Sequence, residues 1–477
     1  MIDRNEIMDF SREFILTANV IEKDYVLGWL LAGITNHSEL SKSWVFKGGT
    51  CLKKCYFETY RFSEDLDFTV MNSEHQNESF LINAFKEIAD WVYEATGIQI
   101  PKDTIRFEVY TNPRGKISVQ GRISYRGPLQ PGGALPRIKL DLTDDEVLVL
   151  DPVSCEVHHP YSDKPEDGIH IQAYCFEELF AEKIRALAER LRPRDLYDVI
   201  HLHRHDSTKH SRDIILNTLE KKCSFKGISV PTMDILENKP ERAELETEWE
   251  NMLGHQVPVL PLFEQFWKEL PELFEWLYRA VVKPTPSVMP AMGYAVDTSW
   301  QPPAMAQAWH ISAPLEAIRF AAANRLCIDL TYQGSRRLIE PYSLRRTRDG
   351  NLLLYAVKHN TGEDRSYRVD RIQGAQVTKM PFTPRYAIEL TTSYPISAPP
   401  TTMRTGGIGS VRPQPIRSTG RRPKSFTSDY GPKYVFECSY CGKKFTHKTN
   451  DSKLNKHKDK HGYPCPGRTG FFVDMKY

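Results

Sequence analysis

Residues 63 to 70, SEDLDFTV, alternate polar and apolar side chains with a period of two. That is strand spacing, which puts Leu66 and Phe68 on one face and Asp65 and Asp67 on the other. The pattern returns in PRIKLDLTDDE, where Ile138, Leu140 and Leu142 oppose Arg137, Lys139 and Asp141, with Asp144 and Asp145 in the loop beyond. Upstream, VFKGGTCLKK reads as a strand ending near Phe46, a turn at Gly48 and Gly49, and a helix from Thr50 that carries Leu52, Tyr56 and Phe57 to the core. The period then lengthens. Phe176, Leu179, Phe180, Ile184 and Leu187 form the stripe of an amphipathic helix, with Lys183 on or beside it. After Pro193, RDLYDVIHL starts another helix, with Asp195 at its beginning and Asp198 one turn later.

These periods run to about residue 282 and predict one large α/β (α+β) domain with a helical C-terminal part. Residues 283–305 hold five prolines and read as a linker. Residues 306–394 offer a helix, APLEAIRFAAANR, and then five β-rich runs, a small β domain. Residues 395–433 are a basic, flexible linker by composition, and 434–477 a short last module. The chain is therefore read as multidomain.

Charge sharpens this division. Residues 401–477 carry 16 Lys or Arg against 5 Asp or Glu, whereas the whole chain of 477 residues sums to only +2. A basic tail points to a polyanion partner, or simply to a solvated appendage. No apolar run is long enough to span a bilayer and the N-terminus lacks a secretory signal, so a cytoplasmic protein is expected. Nine scattered cysteines favour thiols and a metal site over a disulfide framework.

The candidate chemistry lies in the first domain. Two carboxylates on one face of a buried strand repel each other, and a hard divalent cation such as Mg²⁺ removes that repulsion. Glycines at a helix start let backbone N–H groups approach a phosphate. Asp141 offers a third acid and Lys139 a cation beside it. The alternatives are a structural turn, two solvated edge acids, a helix cap at Asp195 and a snorkelling Lys183.

Together EKDYVLGWLL, FKGGTCLKK…RFSEDLDF, IKLDLT and EELFAEKIRAL…RPRDLYDVIHL resemble the AbiEii family of nucleotidyltransferase toxins, within the polymerase-β-like superfamily. The resemblance spans roughly residues 5 to 280. It implies a sheet flanked by helices that moves a nucleotidyl group from an NTP to an acceptor, tRNA in relatives. Gly48, Gly49 and Thr50 would cradle the triphosphate, with Ser63 in support. Asp65, Asp67 and Asp141 would hold two Mg²⁺ ions, and Lys183 and Asp195 would serve nucleotide contact and catalysis. Lys139 and Asp198 match nucleotide-binding positions. Cys51 stands where the family commonly has a small hydroxyl residue.

Residues 330–378 resemble the WYL domain, an Sm-like β-barrel, although the eponymous triplet is here Leu354, Tyr355 and Ala356. The resemblance makes Arg365, Arg368 and Arg371 candidates for nucleic acid or a nucleotide-like ligand, with Tyr355 stacking. In the last module Cys438, Cys441, His457 and His461 form C-x2-C-x15-H-x3-H, a Zn²⁺ pattern. It resembles a two-cysteine, two-histidine zinc finger with a lengthened interval, so Cys465 and His447 compete as ligands. Its lysine-rich segment DSKLNKHKDKH is expected to be a helix that grips phosphates. The joint expectation is a bacterial, Mg²⁺-dependent toxin or phage-defence effector acting on RNA, with a cognate antitoxin. A nucleotide-sensing, nucleic-acid-binding regulator and a protein-nucleotidylylating enzyme are the alternatives.

Overall fold

The computed structural model describes residues 1–57, 59–112, 114–129, 133–205, 208, 211–281, 286–299 and 314–391. Of the C-terminal part it describes 433–438, 441, 443–447, 452–455, 457, 465 and 469–476. The expected basic linker therefore lies outside the described residues, apart from its last position. The chain divides into two compact units, 1–402 and 403–477.

The first unit is built on a mixed seven-stranded sheet. Its strands are β1 (Trp44–Lys47), β2 (Asp65–Val70), β3 (Arg106–Thr111), β4 (Ile117–Ser124), β5 (Arg137–Thr143), β6 (Val153–Glu156) and β7 (His170–Ala173). Their order is β3-β4-β5-β2-β1-β7-β6. β1 is buried along its whole length, its apolar Trp44–Phe46 by sequence and Lys47 with an ion-pair partner in Glu182. β2 and β5 alternate: Leu66, Phe68, Ile138, Leu140 and Leu142 are buried, while Asp65, Asp67 and Asp141 are half-buried on the opposite face. The two strands run parallel, with Asp67 beside Asp141 and Asp65 beside Lys139.

The helices Ala18–Asn36, Phe176–Arg190 and Pro193–Arg204 complete this core. The first is buried continuously from Ile21 to Ile34 apart from Lys23, so it packs on more than one face. Pro193 opens the third, where its missing N–H has no intrahelical acceptor to lose.

The same unit contains the β-rich region. Strands β8 (Leu326–Tyr332), β9 (Ser335–Arg346), β10 (Leu352–Lys358), β11 (Asp364–Arg368) and β12 (Ile372–Pro381) pair antiparallel in the order β11-β10-β9-β8-β12. The helix Leu315–Ala323 precedes them and is buried from Leu315 to Ala322. A short helix buried all round must touch bodies on more than one side. Here these are the β-rich sheet and the N-terminal domain, which Glu316 reaches at Thr59. Part of the expected proline-rich linker is also packed: Met289 is buried with Tyr342, Tyr355 and Phe382.

The second unit is an antiparallel three-stranded sheet of β13 (Lys433–Cys438), β14 (Lys444–His447) and β15 (Gly470–Lys476), ordered β14-β13-β15. The helix expected from DSKLNKHKDKH is not formed at Ser452–Asn455, where Lys453 instead bridges to Thr469. The cysteine–histidine cluster explains the difference, because the Cys465 N–H donates to the His457 carbonyl at 2.9 Å and folds the chain back.

Candidate active site and metal centre

The glycine turn sits against the acidic face of the sheet. β1 ends at Lys47, and the helical segment Gly48–Cys51 follows directly, continuing as a π-turn over Leu52–Tyr56. No side chain caps its start, so the first N–H groups are left for another acceptor. Gly48 has a φ of +81°, and a Cβ there would lie 2.1 Å from the Asp67 Oδ2. Only glycine allows both the left-handed backbone and this approach. A Cβ on Gly49 would meet the Arg61 guanidinium at 2.5 Å and Ser63 Oγ at 3.0 Å. The Thr50 hydroxyl donates to the Asp65 carbonyl, tying turn to strand.

Three carboxylates, Asp65, Asp67 and Asp141, thus share one half-buried face, with the last two register partners on adjacent strands whose backbones run about 4.8 Å apart. Burial and the neighbouring Asp141 push the Asp67 carboxyl up to about 6, although Lys47 and Lys183 pull it down. Burial also raises Asp141, against a 3.4 Å hydrogen bond from Gln120. This electrostatic tension fits a divalent cation, which would relieve the repulsion. Hard oxygen donors are the right type for Mg²⁺.

A layer of ion pairs lies behind this face. Asp198 accepts two bonds from Arg61 at 2.7 and 2.8 Å, one from the Tyr60 hydroxyl at 2.5 Å, and pairs with Lys183 at 2.7 Å. Asp195 takes Arg190 at 2.6 and 2.9 Å and Lys183 at 3.4 Å. Burial would raise both aspartates, but Arg61 and Lys183 at Asp198, and Lys183 and Arg190 at Asp195, hold them below the usual carboxylate range. Lys183 is therefore an ion-paired lysine rather than a snorkelling one. Asp198 has its oxygens occupied by protein donors and fixes Arg61 beneath Gly49.

Several charged residues here received no role from the sequence. Lys47 pairs with Glu182 at 3.4 Å; burial opposes its charge, but Glu182 and Tyr174 outweigh it and raise the ammonium. Burial and Arg61 lower the Arg194 guanidinium, and its buried Nε has no hydrogen-bond partner among the described residues. The signal for Lys47 was its place at the end of an apolar run just before the glycines. Arg61 gave none, because its partner Asp198 is remote in sequence, and nothing in the local pattern singled out Arg194.

Lys139 is exposed on β5 beside Asp65. Tyr355, Arg365, Arg368 and Arg371 lie on or next to β10 and β11, in the β-rich region. Tyr355 is fully buried, with Arg345 stacked 4.5 Å from its ring centre and Met292 N–H directed at its hydroxyl. Arg365 and Arg368 pair with the neighbouring acids Glu363 and Asp370. Arg371 is exposed.

In the second unit, ligand atoms of Cys438, Cys441, His457 and Cys465 lie within 4.8 Å of one another. The Cys438 and Cys465 sulfurs are 3.8 Å apart, and Cys441 Sγ is 3.3 Å from His457 Nε2. A tetrahedron of about 2.3 Å Zn–S bonds has edges near 3.8 Å, so the cluster is compatible with zinc. His457 Nδ1 meets the Asn455 carbonyl at 2.9 Å, which orients the ring with Nε2 toward the sulfurs. Cys465 therefore takes the fourth place expected for His461, which lies outside the described residues. The side chain of His447, the other expected competitor, also lies outside the described residues.

Comparison with known proteins bears on the first unit. The family described as "Nucleotidyl transferase AbiEii toxin, Type IV TA system" matches residues 29–279, and the WYL domain matches 314–377. Among curated proteins none matches the sequence. Among solved structures, MenT4, a nucleotidyltransferase toxin from Mycobacterium tuberculosis H37Rv, is 16% identical with a TM-score of 0.40, over 58% of this chain and 90% of its own. JHP933 from Helicobacter pylori is 15% identical with a TM-score of 0.29, over 56% of this chain and 99% of its own. No described helix is long and apolar enough to cross a membrane.

Proposed function

Since the chain belongs to the family of AbiEii nucleotidyltransferase toxins, we propose that it transfers a nucleotidyl group from an NTP to an RNA acceptor, with tRNA as the first candidate. The observation that carries this reading is the packing of Gly48 against Asp67, with Asp141 its register partner on the adjacent strand. It puts the start of a helical segment directly beside paired carboxylates.

In this reading the N–H groups of Gly48, Gly49 and Thr50 receive the triphosphate, with Ser63 alongside. Arg194, with its unpartnered Nε, adds a phosphate contact. Asp65, Asp67 and Asp141 would hold Mg²⁺, which when bound activates the attacking hydroxyl and offsets charge on the departing pyrophosphate. Lys183 bears on Asp67 electrostatically while Asp195 and Asp198 hold it in place. The Cys₃His cluster would hold Zn²⁺ as a structural staple for a module whose own buried core is small. An antitoxin partner belongs to the same reading, as do nucleic-acid contacts by the C-terminal modules.

The test is incubation of the full chain with each α-labelled NTP, total RNA and total protein. Label in RNA, abolished by Asp65→Asn and Asp67→Asn in folded protein, supports the reading. Label in protein would instead identify a protein hydroxyl as acceptor. NTP binding with no labelled product would identify a nucleotide-sensing regulator.

A further inference from the structure

The buried helix Leu315–Ala323 belongs to the β-rich region, yet its two ends touch the segments that set the active-site geometry. At its start, Glu316 is buried and accepts a 2.8 Å hydrogen bond from the Thr59 hydroxyl. Thr59 lies in the connection between the glycine turn and β2. That connection holds Tyr60 and Arg61, whose side chains bind Asp198, and Ser63, which faces Gly49. At the helix's other end, the buried Asn324 Oδ1 accepts from the Tyr197 hydroxyl at 3.0 Å and meets His201 Nε2 at 3.2 Å. Tyr197 and His201 flank Asp198 in sequence on the Pro193–Arg204 helix, and both rings pack on Tyr60. The Asn324 amide in turn donates to the Phe320 carbonyl, and its own carbonyl accepts from Gln265. Its polar groups are thus committed, and its position is fixed by both bodies.

We infer that this helix is a positioning element of the active site, with Glu316 and Asn324 holding the 59–64 connection and the Asp198 helix in the register that aligns β2 with the glycine turn. The β-rich region is then part of the catalytic unit rather than an appended module. Anything that binds it and shifts this helix changes turnover. The physical reason is that the Asn324 bonds are buried and the Thr59–Glu316 bond is part-buried, so water replaces them poorly and the two contacts move with the helix or break at a cost. Arg204 strengthens the seam: it donates to the Ala323 carbonyl at 3.0 Å and shares Glu269 with Arg325.

The inference rests on the nucleotidyltransfer reading, so its test has one arm that needs activity and one that does not. In the full chain, Thr59→Val and Glu316→Leu remove the two ends of one hydrogen bond, while Thr59→Ser and Glu316→Gln retain it. The expected result is a fall in kcat of ten-fold or more for either disruptive variant. The double variant falls no further, the conservative pair stays within about two-fold, and KM for the NTP moves little. Independently, hydrogen exchange at the amides of residues 59–67 speeds up at least ten-fold in Glu316→Leu and in Asn324→Leu. If exchange changes but the wild-type chain labels no acceptor, the functional reading fails and the coupling stands. Unchanged exchange, additive losses in the double variant, or a lowered melting temperature with kcat intact would overturn the inference.

Discussion

Replacing Gly48 with alanine isolates the close approach between the glycine turn and the acidic strand. Its cost has two parts that the structure separates. The backbone part comes from the φ of +81°, which burdens an L-residue by about 1 to 2 kcal/mol. The contact part comes from the new Cβ, built 2.1 Å from Asp67 Oδ2, where about 3.4 Å is an ordinary contact. The carboxylate must therefore give way by about 1.3 Å, and a displacement near 1 Å of a reacting group costs about 100-fold in rate. Gly115 supplies the control, because its φ is +76° and a Cβ there meets nothing within 4 Å. In denaturant unfolding Gly115→Ala is expected to lose the backbone part alone and Gly48→Ala at least as much. Only Gly48→Ala should lose about 100-fold or more in the initial rate of label transfer from NTP. A folded Gly48→Ala protein within three-fold of wild type, or equal rate losses in both variants, would refute the reasoning.

Other outcomes follow from the buried charges and the thiol cluster. Asp198→Asn uncovers the buried Arg61 and is expected to cost about 3 to 5 kcal/mol, read as a shifted denaturant midpoint. At Glu269 burial favours the neutral acid, but Arg204 and Arg325 outweigh it and hold the carboxyl at about 2, so its stabilisation is complete above pH 4.5 and fades as pH falls toward 2. That contribution is on the order of 3 kcal/mol, and Glu269→Gln should remove that part of the acid-side slope in pH-dependent unfolding. One zinc per chain is expected by elemental analysis, lost in Cys465→Ala and kept in His461→Ala; the reverse pattern would restore the two-histidine ligand set.

Local periodicity carried much of this architecture. The faces of β2 and β5 follow from a two-residue repeat, so Asp65, Asp67 and Asp141 could be placed on one side before any pairing was known. The Phe176–Arg190 stripe and Pro193 likewise define helices by local rules. What stayed hidden depends on contacts distant in sequence. Asp198 is paired by Arg61 from 137 residues away, and Asn324 by Tyr197 from 127. The spacing of the last module admits either His461 or Cys465, and the fold-back at His457 is what brings the cysteine into the cluster. The same fold-back replaces an expected helix with a bridge at Lys453. Tyr355 resembled a stacking platform because its burial under Arg345 and the Met289 segment is a tertiary event.

Binding of Mn²⁺, followed by electron paramagnetic resonance with a non-hydrolysable NTP analogue, reports whether the carboxylates of β2 and β5 gather metal beside a triphosphate. Two analogue-dependent ions per chain are expected, with binding weakened at least ten-fold in Asp67→Asn and Asp141→Asn chains that remain folded. Metal binding that ignores both substitutions, or that needs no nucleotide analogue, would contradict the assignment of this face as the site of nucleotide transfer.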